Sequence, residues 1–397
     1  MGMRRVGKTW FCYQKIFELL EKNIPKNRIL YFNFEDERLV PNFTVESFDI
    51  ILQEYYRLYP DNKNNLCYFF FDEIQNINGW ELFIRRVIDS EKIKLTLTGS
   101  NSKLLSREIS TSLRGRSIST EIFPLSFSEF MNFHDIHLSG SIYSSKNEAL
   151  LRNAFDKYFN LGGFPEIQYN EESIRITLLQ EYVNTVLFKD TIERYKIKNT
   201  NAVRLLIYHI MNNPCKELSI NKFYNTLRSL QISSTKDKLY EYLTYLEDAY
   251  LIYKVELYSN SLKIRQHNPP KIYVIDNSIL KAMSYKITSD FGHLLENMVF
   301  MHLRRKSFII NYYKDKNGFE TDFVVRKHNG ELVDLIQVCY DLSDNKTKQR
   351  EIRGLTSAMK NLQFNTGKII TFNTDSKLED NIQAISAWKW MYEEISL

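Results

Sequence analysis

Apolar and polar positions in the first third of the chain alternate between two rhythms. Four short stretches read as strands: RILYFNFEDE (Arg28–Glu37), LCYFFFDEIQ (Leu66–Gln75), IKLTLTGSNS (Ile93–Ser102) and SISTEIFPLSF (Ser117–Phe127). The second is apolar almost throughout, the pattern of a strand covered on both faces. Helical spacing runs between them, first from Trp10 to Asn23, with Phe11, Ile16, Phe17, Leu19 and Leu20 on one side. Strands that alternate with helices predict a parallel α/β sheet over residues 1–135.

The pattern then changes. Residues 136–200 read as all-helical, broken at YFNLGGFPE (Tyr158–Glu166) by Gly162, Gly163 and Pro165. Leu218–Tyr258 has the rhythm of a winged helix within a module at 201–285: a short helix, a turn, a longer helix opened by Ser233, Ser234 and Thr235, and a strand pair near Leu251–Tyr258. In a DNA reader that longer helix would offer Lys236, Lys238 and Tyr240 to the groove. Asp237, Glu241, Glu247 and Asp248 are interspersed with them, a poor balance for phosphate binding. Packing against protein is the favoured reading, with DNA as the alternative.

Composition narrows the class. With 43% hydrophobic and 14% aromatic residues the chain can bury sizeable cores, and 13 glycines and 8 prolines leave little room for long disordered linkers. A formal charge of +5 permits nucleic-acid contact without arguing for it. Four scattered cysteines form no C-x-x-C pair, which fits a reducing compartment and no structural zinc. No apolar run has membrane-spanning length and the basic start lacks a signal-peptide core, so a cytoplasmic protein without membrane contact is expected.

Chemistry enters at GMRRVGKT. Gly2, Gly7, Lys8 and Thr9 fit G-x-x-x-x-G-K-[ST] in full, with Arg5 inside the loop. Glycines let the backbone curl until its N–H groups face phosphates, the lysine reaches the β/γ-phosphates, and the hydroxyl takes a place on Mg²⁺. CYFFFDE supplies the second half: Asp72 at the strand end can share the Mg²⁺ shell with Thr9, and Glu73 can polarise an attacking water. Standing alone, Asp-Glu merely ends a strand. Following a full phosphate loop, it completes a two-part signal for ATP and Mg²⁺. Such a loop normally hangs from a buried strand, and none precedes Gly2 here. The expectation is therefore an N-terminally shortened chain whose sheet lacks its first strand.

GMRRVGKT, FFFDEIQNINGWE, LTGSNSKLLS, LRGRS, FPLSFSEF and GGFPE, taken in this order, resemble the bacterial and archaeal AAA-type P-loop ATPases that carry a C-terminal restriction-endonuclease-like domain of uncharacterised role. The resemblance covers nearly the whole chain. It implies a γ-phosphate sensor at Ser100 or Asn101, with a plain turn as the competing reading. It also implies charge-stabilising arginines at Arg114 and Arg116, against a basic turn in solvent. Residues 136–200 resemble the group's helical lid, where Lys189, Asp190 and Arg194 are either contacts or a solvated helix face.

Residues 286–397 resemble the restriction-endonuclease-like domain, with Glu296 on a helix and Asp322 on a strand. A nuclease of that fold adds an [ED]-x-K pair on the next strand; here Gln337-Val338-Cys339 stands there. A neutral amide is a weak Mg²⁺ ligand and a thiol cannot replace an ammonium, so the fold is expected without cleavage. The function that follows is a nucleotide-dependent switch, an ATPase acting on a protein partner or as a homo-oligomer. The alternatives are an ATP-regulated DNA-binding protein or nuclease, and a nucleotide-inactive scaffold.

Overall fold

The computed structural model describes residues 1–38, 43–100, 117–140, 143–284, 290–379 and 381–393. They divide into two compact units, Met1–Phe123 with Asp248–Tyr250, and Pro124–Glu247 with Leu251–Leu397.

In the first unit, helix α1 (Lys8–Glu21) precedes strand β1 (Ile29–Asn33), and α2 (Val45–Leu58) leads to β2 (Cys67–Asp72). Helix α3 (Trp80–Ser90) then leads to β3 (Ile93–Leu97). The three strands are parallel in the order β1-β2-β3, so β2 is central, as its apolar run predicts. One face packs an aromatic core in which Phe48 stacks on Phe83 at 4.6 Å and Phe34 meets Phe71 edge-on at 5.6 Å. The rings bury large apolar area at little side-chain entropy cost.

Two expectations for this unit fail. Residues 117–123 form no strand; the Ile122 N–H donates to the Met1 carbonyl at 2.6 Å and the Met1 ammonium donates to the Thr120 carbonyl at 2.7 Å. Bonds to a single residue tie the segment down but build no ladder. On α1 the covered positions are Lys8 and Cys12, while Phe17 is 61% exposed. A partner surface need not follow the apolar stripe when the helix must aim a lysine inward.

The second unit opens with helix Phe127–Phe133, set by a capping box: the Glu129 N–H donates to Ser126 Oγ, and the Ser126 N–H donates to Glu129 Oε2 at 2.7 Å. Helices Ser145–Leu161 and Glu172–Thr185 follow, the latter continuing as a π-helix over Val186–Glu193, which the sequence pattern did not anticipate. The Gly-Gly break between the two α-helices is a close approach. A Cβ on Gly163 would lie 2.3 Å from the Leu125 carbonyl oxygen, and the Gly163 N–H donates to buried Asp276 at 2.9 Å. Gly162 takes φ +72° to make the turn. Arg305 closes the knot by donating to the Pro124 carbonyl at 2.7 Å.

Helices Thr200–Met211, Ile220–Ser229 and Lys236–Asp248 precede β4 (Ile252–Val255), whose antiparallel partner is β5 (Lys271–Val274). The strand pair expected within 251–258 thus spans a longer excursion that holds helix Leu262–His267; Pro269 and Pro270 delay the return strand. Helix Phe291–Arg305 then leads into a six-stranded mixed sheet. It comprises β6 (Ile309–Lys314), β7 (Glu320–Arg326), β8 (Leu332–Cys339), β9 (Gly367–Thr371), β10 (Ser376–Glu379) and β11 (Ile382–Ser386), in the order β10-β11-β9-β8-β7-β6. Helix Asn345–Leu362 makes the crossover between parallel β8 and β9. Among the described residues no helix is long and apolar enough to cross a membrane.

Candidate functional site: the phosphate loop and the end of the central strand

The loop from Gly2 to Thr9 relies on backbone freedom. Gly2 has φ +154°, and a Cβ there would lie 2.2 Å from the Ile122 carbonyl oxygen. Gly7, the residue before α1, has φ +102°, and a Cβ there would meet nothing within 4 Å. Gly2 is therefore required by space and Gly7 by conformation. Arg5, at φ 67°, adds a non-glycine residue in the left-handed region between them. A helix N-terminus with free N–H groups is suited to anionic oxygen.

Strand β2 delivers two acids. Thr9 Oγ1 donates to Asp72 Oδ2 at 2.6 Å, and the Tyr31 hydroxyl donates to the same oxygen at 3.0 Å. Thr98, at the end of β3, donates to the other Asp72 oxygen, and its own Oγ1 accepts the Glu73 N–H at 3.1 Å. Hydroxyl and carboxylate oxygens side by side form the hard-oxygen donor set that Mg²⁺ selects, with remaining positions open to phosphate and water. Thr9 and Asp72 fit that ion. Burial, with Asp72 nearby, pushes the Cys12 thiol of α1 up to about 12.

Glu73 is buried and left-handed at φ 53°, a turn that folds its carboxylate back toward the loop. The Lys8 ammonium lies 3.1 Å from Glu73 Oε1 and donates to the Met3 carbonyl at 3.0 Å. Gln75 Nε2 donates to Glu73 Oε2 at 2.5 Å. Burial works to raise the Glu73 carboxyl, but Lys8, Gln75 and Arg4 outweigh it and hold the group below the ordinary range. Gln75 Oε1 is buried with no hydrogen-bond partner. In this state the lysine that would reach a phosphate is held by the carboxylate that would activate water.

The structure therefore brings Gly2, Arg5, Gly7, Lys8, Thr9, Asp72 and Glu73 together. Asn101, Arg114 and Arg116 lie outside the described residues. Ser100 is buried, 3.5 Å from Gln75 Nε2. Sequence reasoning missed Tyr31, Gln75 and Thr98. Thr98 directly follows the apolar run of β3 and Gln75 lies three residues past β2, whereas Tyr31 sits in the middle of β1.

Elsewhere, Asp190 is buried in the π-helix with Arg194 Nη1 at 3.7 Å, while Lys189 beside it is exposed. Lys236, Lys238 and Tyr240 are exposed. Glu296 and Asp322 come together in the second unit, both buried.

Three family models tile the chain. Residues 1–131 match an AAA domain, 152–290 match a domain of unknown function (DUF8612), and 291–390 match a second domain of unknown function (DUF4143). The class is thus an AAA-type P-loop protein with two further regions. The uncharacterized protein MJ1544 of Methanocaldococcus jannaschii is 37% identical over 402 residues, spanning 98% of this chain and 86% of that one. An uncharacterized protein of Haemophilus influenzae is 27% identical over 392 residues, spanning 99% and 93%. The chain belongs to the same family as MJ1544. Among solved structures, the Walker-type ATPase PABY2304 of Pyrococcus abyssi aligns over 71% of this chain and 89% of its own, with a TM-score of 0.42 and 16% identity.

Proposed function

We propose that the chain binds ATP with Mg²⁺ at the Gly2–Thr9 loop and hydrolyses it, and that nucleotide state is the signal it passes to a protein partner or a second copy of itself. The observation that carries this reading is the pairing of two contacts at one place, Thr9 with Asp72 at 2.6 Å and Lys8 with Glu73 at 3.1 Å. Phosphates entering the loop compete with Glu73 for the Lys8 ammonium. When Lys8 turns to the phosphate, Glu73 loses its counter-ion and its carboxylate is free to accept a proton from water. Binding and activation of the base are then one event. Bound Mg²⁺, held by Thr9 and Asp72, would neutralise phosphate charge. Asn101, Arg114 and Arg116 are proposed to meet the γ-phosphate.

In the same reading residues 136–200 act as the helical lid, 201–285 as a winged-helix module used for protein contact, and 286–397 as a restriction-endonuclease-like domain that binds without cutting. Calorimetric titration with ATP and Mg²⁺, followed by phosphate release, tests the core of it. A protein that binds no nucleotide at millimolar concentration, or whose phosphate release is unchanged by Glu73→Gln, would refute the assignment.

A further inference from the structure

The second unit holds a buried charge cluster that the nucleotide site does not use. Lys271, at the start of β5 and 4% exposed, places its ammonium 3.1 Å from Glu296 Oε1, 2.9 Å from Asp322 Oδ1 and 2.6 Å from Glu320 Oε1. The ring of Tyr312 lies 5.9 Å away on another side. The Tyr273 hydroxyl donates to the same Glu296 oxygen at 2.7 Å, and the Val338 N–H donates to Asp322 Oδ2 at 3.0 Å. Gln337 Oε1 accepts the Asp322 N–H at 3.2 Å, while its amide donates to Glu351 at 2.6 Å. A helix carboxylate and a strand carboxylate that converge on one point are stabilised by a cation, because like charges at this distance out of water repel strongly.

We infer that Lys271 is that cation, standing at the point where Glu296 and Asp322 would otherwise hold a divalent metal, so that the cluster is closed to metal ions. The ammonium sits within hydrogen-bond distance of three carboxylates. A hard divalent ion would need those oxygens at about 2.0–2.6 Å, together with water. Both cannot occupy one buried point. Lys314 stands at the edge, 3.8 Å from Glu320 Oε2, and Cys339, where a lysine could stand on β8, gives its Sγ–H to the Asp341 carbonyl, with burial pushing the thiol up to about 11. Among the described residues no three His, Cys, Asp or Glu side chains gather as a metal-binding group. Lys271 belongs to the region matched over 152–290, and Glu296, Glu320 and Asp322 to the region matched over 291–390. The ammonium therefore pins two family regions together, a role that a metal would otherwise fill.

The inference is independent of the nucleotide reading and is tested without nucleotide. Full-length protein is titrated with Mn²⁺ alone, and bound metal is read by electron paramagnetic resonance. The expected wild-type signal is identical to that of Asp322→Asn. A bound Mn²⁺ that Asp322→Asn abolishes would overturn the inference. Lys271→Met should melt on the order of 10 °C below wild type, because breaking a buried pair leaves uncompensated charge. Millimolar Mn²⁺ should recover part of that loss, and should fail to do so in Lys271→Met/Asp322→Asn. Lys271→Met/Glu296→Gln should melt above Lys271→Met, since one of the repelling charges is gone. A Lys271→Met protein as stable as wild type would also defeat the reading. If the single variant does not fold, the wild-type Mn²⁺ comparison still decides.

Discussion

Lys8 and Glu73, residues from a phosphate loop and from the end of the central strand, form a buried ion pair at 3.1 Å. In the proposed scheme each is the group the other must release before nucleotide chemistry can start. Lys8→Ala should therefore abolish ATP binding. Glu73→Gln should bind ATP at least as tightly as wild type, because the phosphates no longer compete with a carboxylate, and should lose turnover by about 10²–10⁴-fold, the range for a general base. Calorimetry and single-turnover phosphate release separate the two effects. A Glu73→Gln protein that hydrolyses at the parental rate would remove the base assignment.

Gln75 is a positioning residue in this scheme. Its amide holds Glu73 Oε2 at 2.5 Å, and its own carbonyl oxygen is buried with no partner. Gln75→Ala should leave ATP affinity within a few-fold and lower the turnover rate on the order of tenfold or more, as expected when a base loses its orientation. Gln75→Glu should be worse, since it sets a second carboxylate against the first. Equal loss of binding and turnover in Gln75→Ala would point to a folding defect instead.

The Lys8–Glu73 pair also makes a pH prediction. The folded Glu73 carboxyl is depressed, so its contribution to stability is present above the ordinary glutamate value, about 4.3, and is lost as pH falls through the folded value. Lys8→Met should melt below wild type at pH 7. The gap between the two should narrow as the solution is acidified below pH ~4. Thermal melts at both pH values, without nucleotide, check the sign.

Asp276 accepts from the N–H groups of Gly163 and Ser278 and from the Ser278 hydroxyl, all in the interior of the second unit. Asp276→Ala leaves buried donors without an acceptor and should cost about 2 kcal/mol or more. Gly163→Ala drives a methyl against the Leu125 carbonyl and should cost about 1–3 kcal/mol. Denaturant unfolding of each variant measures both. Neither change touches the phosphate loop, so ATP affinity should persist.

Much of the candidate nucleotide site was legible because the proposed chemistry is local in sequence. Gly2 to Thr9 and Asp72-Glu73 are short runs with fixed spacing, and β2 announces itself as CYFFFD. What was not legible depends on contacts between distant residues. The Ser117–Phe127 stretch has strand composition, yet a strand is defined by a ladder partner, and composition does not supply one. Phe17 belongs to an apolar stripe but faces outward because α1 turns Lys8 and Cys12 inward. GGFPE looked like a helix breaker, whereas Gly163 is there because Leu125 and Asp276 approach its backbone from two sides. Lys271 was overlooked altogether. Its signal in KIYVID was a charge at the start of an apolar strand, and only the fold reveals the three carboxylates waiting for it.

That lysine sharpens the expectation for DNA. Purified protein incubated with circular and linear DNA, with Mg²⁺ or Mn²⁺ and with or without ATP, should cut neither, since groups that act together on a phosphodiester are lost together. Replacing Gln337 and Cys339 with glutamate and lysine restores the residue types of a cutting strand, but it leaves the Lys271 ammonium on Glu296 and Asp322. The Gln337→Glu/Cys339→Lys protein should therefore also be inactive. Nicking by wild type that disappears in Asp322→Ala, or nicking gained by the double variant while Lys271 is intact, would show that the cluster admits a metal after all.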